Sequence, residues 1–332
     1  MKNFWINKKI LITGGAGFIG SNLSNDLIKC GAKVFVIDNL ERGVKKNLHN
    51  KVIFYKQDLR KKNNKINKIF KNKDIVIHLA SKVGAMHYYQ QNQFEVMRDN
   101  IAIDNNTIEL ANKNSVKSFL YASSSHVYPL ELQKKKKYLL KENDSIKSHP
   151  IISYGWAKLV GEKQIEYLSS KFDNTIILRF VGIYGNNQDV DISNGSLIPV
   201  LSYKSLNFPR HGFKLLTDGS EIRSYCHIDD AIDAIKKIII STQRKKYKGE
   251  VFNICSNENY SIHNIAKKIS KLSEKNIKVK KSNLKADIKC QICDNSKLKK
   301  FIKWQPKITI DEGLKAVYED LKNSYFKKNN QN

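Results

Sequence analysis

The chain is short of several things, and each shortage narrows what it can be. It has five cysteines in 332 residues, an odd number scattered as Cys30, Cys226, Cys255, Cys290 and Cys293. That count argues against a disulfide framework. Cys290-x-x-Cys293 has no second pair at zinc spacing, so no metal is expected. No apolar run approaches the ~18 residues of a membrane-spanning helix. The polar opening, Met1 to Lys9, lacks the apolar core of a secretion signal, so a soluble, cytoplasmic chain without a membrane partner is expected. Arginine is scarce, with seven among 59 basic residues, and acids number 31, giving a net charge of +28. Such a charge ordinarily points to nucleic acid or an anionic surface. Here the lysines are spread over the whole chain, and asparagine and isoleucine are also abundant, as an AT-rich coding bias produces. The densest run, Lys134 to Lys137, reads as a solvated loop. Without a reading motif, nucleic-acid binding is not expected, although anionic substrates would be steered toward the protein. Internal repeats are absent.

What is present begins at Ile10-Leu11-Ile12, an apolar run suited to a strand buried on both faces. Gly14, Gly15, Gly17 and Gly20 follow, and a helical pattern opens at Phe18-Ile19. Strand, glycine turn and helix form the context of a dinucleotide fingerprint. Gly14 or Gly15 provides the tight turn. Gly17 lets backbone approach a pyrophosphate, and Gly20 allows close helix packing. The helix N-terminus offers N–H groups and a positive dipole end. A second strand, Lys33-Val34-Phe35-Val36-Ile37, ends in Asp38, placed where a ribose-hydroxyl acceptor belongs. A carboxylate there accepts from ribose hydroxyls and repels a 2′-phosphate, which favours NAD over NADP, with Arg42 nearby as a potential phosphate partner.

Further strands are expected at Val52 to Tyr55, Asp74 to Ala80, Phe119 to Ala122 and Thr175 to Arg179, with helices over about Phe94 to Asn114 and Tyr154 to Ser170. A polar excursion, about Gln133 to His149, interrupts them. This alternation predicts an α/β, doubly wound parallel sheet with ligands beyond its C-terminal strand ends. Residues 1–180 are expected to form the NAD-binding domain, its sheet completed by about 222–255. Residues 181–332 are expected to be mainly a smaller substrate-binding region with a polar tail from about Lys327.

Tyr154-Gly155-Trp156-Ala157-Lys158 places a phenol and an ammonium one helical turn apart. An ammonium favours the phenolate, so Tyr154 could act as a base below its ordinary pKa. Ser124, closing the fifth strand, could hold a substrate hydroxyl or carbonyl. With these residues the chain resembles the extended short-chain dehydrogenase/reductases, in the NAD-dependent nucleotide-sugar epimerase/dehydratase family. The resemblance rests on Thr13 to Gly20, Asp38-Asn39, Asp58-Leu59, His78-Leu79-Ala80, Asn100, Ser123 to Tyr128, Tyr154 to Lys158, Arg179, Tyr184-Gly185, Arg223 and Asp229-Asp230.

It implies a Rossmann-type fold and these roles. Gly14, Gly17, Phe18, Ile19 and Gly20 line the pyrophosphate, Asp38 and Asn39 the adenosine ribose, and Asp58 and Leu59 the adenine. Leu79, Ala80 and Ser81 pass along the cofactor, and Tyr154 and Lys158 reach its nicotinamide end. Ser124, Ser125 and Arg223 would meet a nucleotide-diphosphate sugar, Arg223 at the diphosphate; His87, in the loop after the fourth strand, is expected to face the substrate by its position alone. The family also implies a homodimer built on the helices near Asn100 and Tyr154.

Departures from the family's branches narrow the reaction. Ser125-His126 stands where 4,6-dehydratases resemble one another in an Asp-Glu pair, which argues against dehydration. Ala122 to Pro129 is similar to GDP-mannose 3,5-epimerases and GDP-fucose synthases, with His126 at their cysteine. Neither partner residue of those enzymes has a match: Asn187 and Val190-Asp191-Ile192 occupy the corresponding stretches. The expectation is therefore a 4-epimerase type, needing Ser124, Tyr154, Lys158 and NAD. GDP-sugar 3,5 chemistry through His126 is the alternative, and a non-catalytic NAD-binding sensor is the alternative of another class. Gly182 stands where the 4-epimerase pattern often has asparagine.

Overall fold

The computed structural model describes residues 2–135, 137–146 and 148–329, so Lys136 of the lysine run and the end of the polar tail lie outside the described residues. Seven strands form one parallel sheet: β1 (Lys9–Thr13), β2 (Lys33–Asp38), β3 (Ile53–Lys56), β4 (Ile75–His78), β5 (Ser118–Ser124), β6 (Asn174–Phe180) and β7 (Lys248–Ile254). Their spatial order is β7-β6-β5-β4-β1-β2-β3, the doubly wound arrangement, with the order reversing beside β1.

Strand periodicity sends alternate side chains to opposite faces. On one face Ile10, Ile12, Val34, Val36, Ile75 and Ile77 pack under α1 (Phe18–Lys29) and a helix discussed below. On the other, Leu11, Ile37, Val76, Phe119 and Ile177 meet α2 (Asn64–Phe70), α3 (Gln93–Lys113) and α4 (Ser153–Leu168). Both faces being covered explains why these strands read as continuous apolar runs rather than alternating ones.

The chain crosses position 180 in both directions. The strand β7 and helix α5 (Ile228–Ser241) come from the second half yet complete the first layer, α5 burying Ile228, Ile232, Ile235 and Ile239 against the sheet. Conversely, Leu139–Leu140, inside the polar excursion, pairs with Cys290–Cys293 in a smaller four-stranded sheet. The expectation that the segment around Arg223 rejoins the large sheet is corrected. Ile222–Ser224 pairs with Asn259–Ser261 and Cys290–Cys293 in the small sheet, and Cys226–His227 pairs with Ile183–Tyr184. Of the stretch 222–255, the strand β7 is the part that joins the seven strands. A second core, with Tyr184, Ile198, Leu201, Phe213 and Leu215, is closed by α6 (Ile262–Leu272) and α7 (Ile310–Asn329). No helix among the described residues is long and apolar enough to cross a membrane.

Candidate active site

A cleft of about 500 Å³ opens over the C-terminal ends of β1, β2, β4 and β5. Its first wall is the glycine turn. Gly14 takes φ +66, and a Cβ there would come within 2.7 Å of Ala80 backbone, so the tight turn falls on Gly14 rather than Gly15. Gly17 is different. A Cβ on it would meet only Gly14 O, at 3.3 Å, so packing within the chain calls for glycine there much less than at Gly14. Gly17 is also the N-cap of α1 and provides no side-chain cap, leaving first-turn N–H groups directed at the cleft. A bare helix start behind an open glycine is a cradle for a diphosphate.

Asp38 closes the next wall. Its Oδ2 accepts from Ala16 N at 3.0 Å and its Oδ1 from Leu40 N at 2.8 Å. Burial pushes its pKa up, against these hydrogen bonds, which pull it down. The sequence left Arg42 as a potential phosphate partner; the structure commits it elsewhere. Its guanidinium donates to Val83 O at 2.8 Å, to Asp189 Oδ2 at 2.9 Å and to Asn194 O at 3.3 Å, tying two loops together. The adenosine end thus has an acceptor and no free arginine in the place of Arg42, as a 2′-hydroxyl requires. Asn39, Asp58 and Leu59 line the same end. Arg60, which sequence reasoning missed, joins them. It grips Asp58 at 2.7 Å and Asp99 at 2.9 Å, and its hydrogen bond holds the Asp58 carboxyl below the usual range.

At the far end Phe18, Ile19, Gly20, Leu79, Ala80 and Ser81 meet Ser124, Tyr154 and Lys158 in one cavity. Asn100 shapes this corner: fully buried, it accepts from Ser81 Oγ at 2.6 Å and from Lys82 N at 2.8 Å. Ser81 and Ser124 line the cavity beside Tyr154 and draw its hydroxyl's pKa down, against burial. Gly155 allows α4 to start here, because a Cβ would strike His126 O. Lys158 is 1% exposed, its Nζ 5.9 Å from the Tyr154 ring centre. In the protein alone, burial carries the Tyr154 pKa well above its ordinary value, so the expected low-pKa base is not what the chain by itself provides. Burial likewise lowers Lys158, opposed by the charges of Asp104 and Glu162.

Three expected substrate residues, Ser125, Arg223 and His87, and the alternative catalytic residue His126 lie apart from that cavity lining. His126 is partly buried behind Ser124, its Nδ1 2.9 Å from Ser124 Oγ and its ring edge-on to Tyr154 at 5.7 Å. Burial and the Arg223 charge pull its pKa down to about 4, so it is neutral near pH 7. Ser125 is buried in the turn Ser125–Val127. Arg223 is partly buried, its guanidinium donating to the carbonyls of Ile222 at 3.0 Å and Ile288 at 3.1 Å. His87 is exposed, because Met86–Gln91 coils into a helix that turns Tyr89 inward instead. Tyr89 stacks on Tyr154 with ring centres 4.8 Å apart and planes at 12°, and Tyr88 lines the cleft. The run Tyr88-Tyr89 after a strand end was the available signal, and its helical register could not be read from six residues.

The sequence model of the NAD dependent epimerase/dehydratase family matches residues 10–255. The chain belongs to that family. Among curated relatives it is 30% identical to the GDP-mannose 3,5-epimerase of Arabidopsis thaliana, over 94% of this chain and 81% of the relative. It is 28% identical to a putative UDP-glucose 4-epimerase of Methanocaldococcus jannaschii, over 95% of this chain and 99% of the relative. Among solved structures it is similar to the UDP-glucose 4-epimerase of Thermotoga maritima with UDP-glucose, at a TM-score of 0.86 and 26% identity, covering 96% of this chain and 99% of that one. The family's cofactor is NAD, and the open Gly17, the uncapped start of α1 and the phosphate-excluding surroundings of Asp38 fit it.

Proposed function

We propose that this enzyme is a nucleotide-sugar epimerase of the 4-epimerase type, inverting a hydroxyl-bearing carbon through a transient ketone. One observation carries the reading: Tyr154, one turn from Lys158, lines the same cavity as Ser124 and Ser81 where the dinucleotide cleft ends. NAD held along that cleft would supply the hydride acceptor and donor. Ser124 orients the sugar oxygen. Tyr154 takes the hydroxyl proton as the carbon is oxidised and gives it back on reduction. Lys158 supplies the positive charge that draws Tyr154 toward phenolate against its burial. No second acid or base is needed. Arg223, whose described partners are two backbone carbonyls, is the residue for the substrate diphosphate.

A second reading is supported by His126, which touches both Ser124 and Tyr154 and stays neutral, as a base must. It is 3,5-type proton exchange beside the ketone, the reaction named for the Arabidopsis relative. A homodimer and cytoplasmic residence belong to the same proposal. The exposed Phe94 and Trp156 lie on α3 and α4, the helices that would pair.

The test incubates the NAD-loaded protein with UDP-, GDP-, dTDP- and ADP-sugars in D₂O and follows products by NMR. Inversion without carbon-bound deuterium supports the 4-epimerase type. Deuterium at carbon 3 or 5 supports His126. Full activity in Tyr154→Phe overturns both, and absence of turnover with every sugar leaves the sensor alternative standing.

A further inference from the structure

An enclosed polar cluster lies behind the active site, and the reaction as written leaves it without a task. Thr13 ends β1, His78 ends β4, Asp104 sits in the middle of α3 and Tyr121 lies on β5. His78 and Asp104 are each 1% exposed, and Thr13 and Tyr121 are fully enclosed. His78 Nε2 is 2.9 Å from Asp104 Oδ1, and its Nδ1 is 2.6 Å from Thr13 Oγ1. The Tyr121 hydroxyl donates to Asp104 Oδ2 at 2.5 Å.

The direction of each bond follows from what the groups can do. An ionised carboxylate only accepts, so His78 carries its proton on Nε2. Its bare Nδ1 accepts from the Thr13 hydroxyl, and that oxygen accepts from Ala80 N at 3.3 Å. Burial keeps His78 neutral, so the cluster holds a single net charge, the anion at Asp104. The cation against it is Lys158, with Nζ 3.8 Å from Asp104 Oδ1. Gly161, about a turn past Lys158, permits this approach. A Cβ there would strike the Tyr121 hydroxyl and come within 3.0 Å of Asp104 Oδ2.

We infer that Asp104 is a positioning residue of the reaction: its charge keeps Lys158 protonated and in place beside Tyr154, and through His78 and Thr13 it ties that lysine to the glycine turn. The inference rests on the reading of Tyr154 and Lys158 as the reacting pair. The groups facing Lys158 from the packed elements are Asp104 on α3, Tyr121 on β5 at 4.8 Å from the ring centre, and Tyr154 and Glu162 on α4 itself. Glu162 is already matched by Arg179 and by the Ser123 hydroxyl. Asp104, matched by two neutral donors, is the anion whose charge is left for the lysine.

The test reads Lys158 directly. Lysine labelled with ¹³C at Cε is titrated by NMR in the full chain, and the Lys158 signal is the one that Lys158→Met lacks. Asp104→Asn keeps the shape and can still accept from His78 while the charge is gone. Its Lys158 midpoint is expected to fall by about half a pH unit or more. A smaller shift overturns the inference. Tyr121→Phe removes a hydrogen bond from the carboxylate and leaves its charge less shielded, so the midpoint rises there. No change or a fall overturns the inference even if Asp104→Asn does not fold. In turnover, the alkaline limit of kcat moves down with the midpoint in Asp104→Asn, which a packing role would not produce. If Tyr154→Phe kept full activity, the function would be misread while the titration still reported Asp104, so the two failures are separable.

Discussion

Glu162 and Arg179 offer the sharpest test of how the catalytic helix is held. Arg179 is 2% exposed on β6, and five hydrogen bonds saturate it. Its Nε and Nη2 donate to Glu162 at 2.8 and 2.6 Å, and the rest go to Tyr128 OH, Glu142 O and Ser145 Oγ. Glu162→Ala leaves a buried guanidinium without its anion, a loss of about 3–5 kcal/mol for pairs of this kind. With ~2.1 cal/mol/K of unfolding entropy per residue over 332 residues, that is a drop of roughly 4–7 °C in Tm. Arg179→Met combined with Glu162→Leu removes both charges and is expected to recover most of the loss. Thermal unfolding followed by circular dichroism, on both variants and the parent, measures it. A drop below about 1 °C in Glu162→Ala, or a double variant less stable than the single, would refute the claim that charge matching is what anchors α4 to the sheet.

Gly17→Ala should weaken NAD binding by about tenfold or more in calorimetry while lowering the Tm of the cofactor-free protein by only about 1–2 °C, the cost of a poorer N-cap and of one Cβ set 3.3 Å from Gly14 O. Equal affinity would mean that no phosphate lies against Gly17. His126, held near a pKa of about 4 against its ordinary ~6.5, binds fewer protons folded than unfolded. Its contribution to stability is therefore complete above about pH 6.5 and lost as the pH falls toward 4. Urea midpoints of His126→Asn should decline less steeply across that window than those of the parent, and identical slopes would show that the ring is solvated.

The sheet was legible because β1, β2, β4, β5 and β6 are largely buried and so read as apolar runs bounded by helices. The large sheet's seventh strand was found, but the neighbouring segment around Arg223 was not placed. Ile222–Ser224 is three residues long, and its partners are Asn259–Ser261 and Cys290–Cys293, far along the chain. Pairing of that kind leaves no local trace. Leu139–Leu140 was hidden likewise, two apolar residues after a lysine run. At the site, the glycine turn, Asp38, Ser124, Tyr154 and Lys158 came together in one cleft, whereas Ser125, His126 and Arg223 lie apart from its lining, as does His87, whose orientation depends on a six-residue helix. Arg60 and Asp104 were invisible for another reason. Each gains its task from tertiary partners, Asp58 and Asp99 for one, His78, Tyr121 and Lys158 for the other.

Two buried carboxylates flank the catalytic helix, and their partners divide the work between them. Glu162 faces a guanidinium that matches it in charge and geometry, so removing its charge disturbs the Arg179 site first and Lys158 second. Asp104 faces a neutral imidazole, a phenol and, at 3.8 Å, the ammonium of Lys158. Of these the lysine alone is charged, so removing the carboxylate's charge tells most on Lys158. The two carboxylates should therefore separate under the same pair of measurements. Glu162→Gln should lower Tm with a small effect on the Lys158 titration, and Asp104→Asn should move the titration with the smaller change in Tm. The reverse pattern would assign the electrostatic role to Glu162 and leave Asp104 as packing. A common pattern for both would mean that α3, α4 and the sheet respond as one electrostatic unit, in which no single anion sets the state of Lys158.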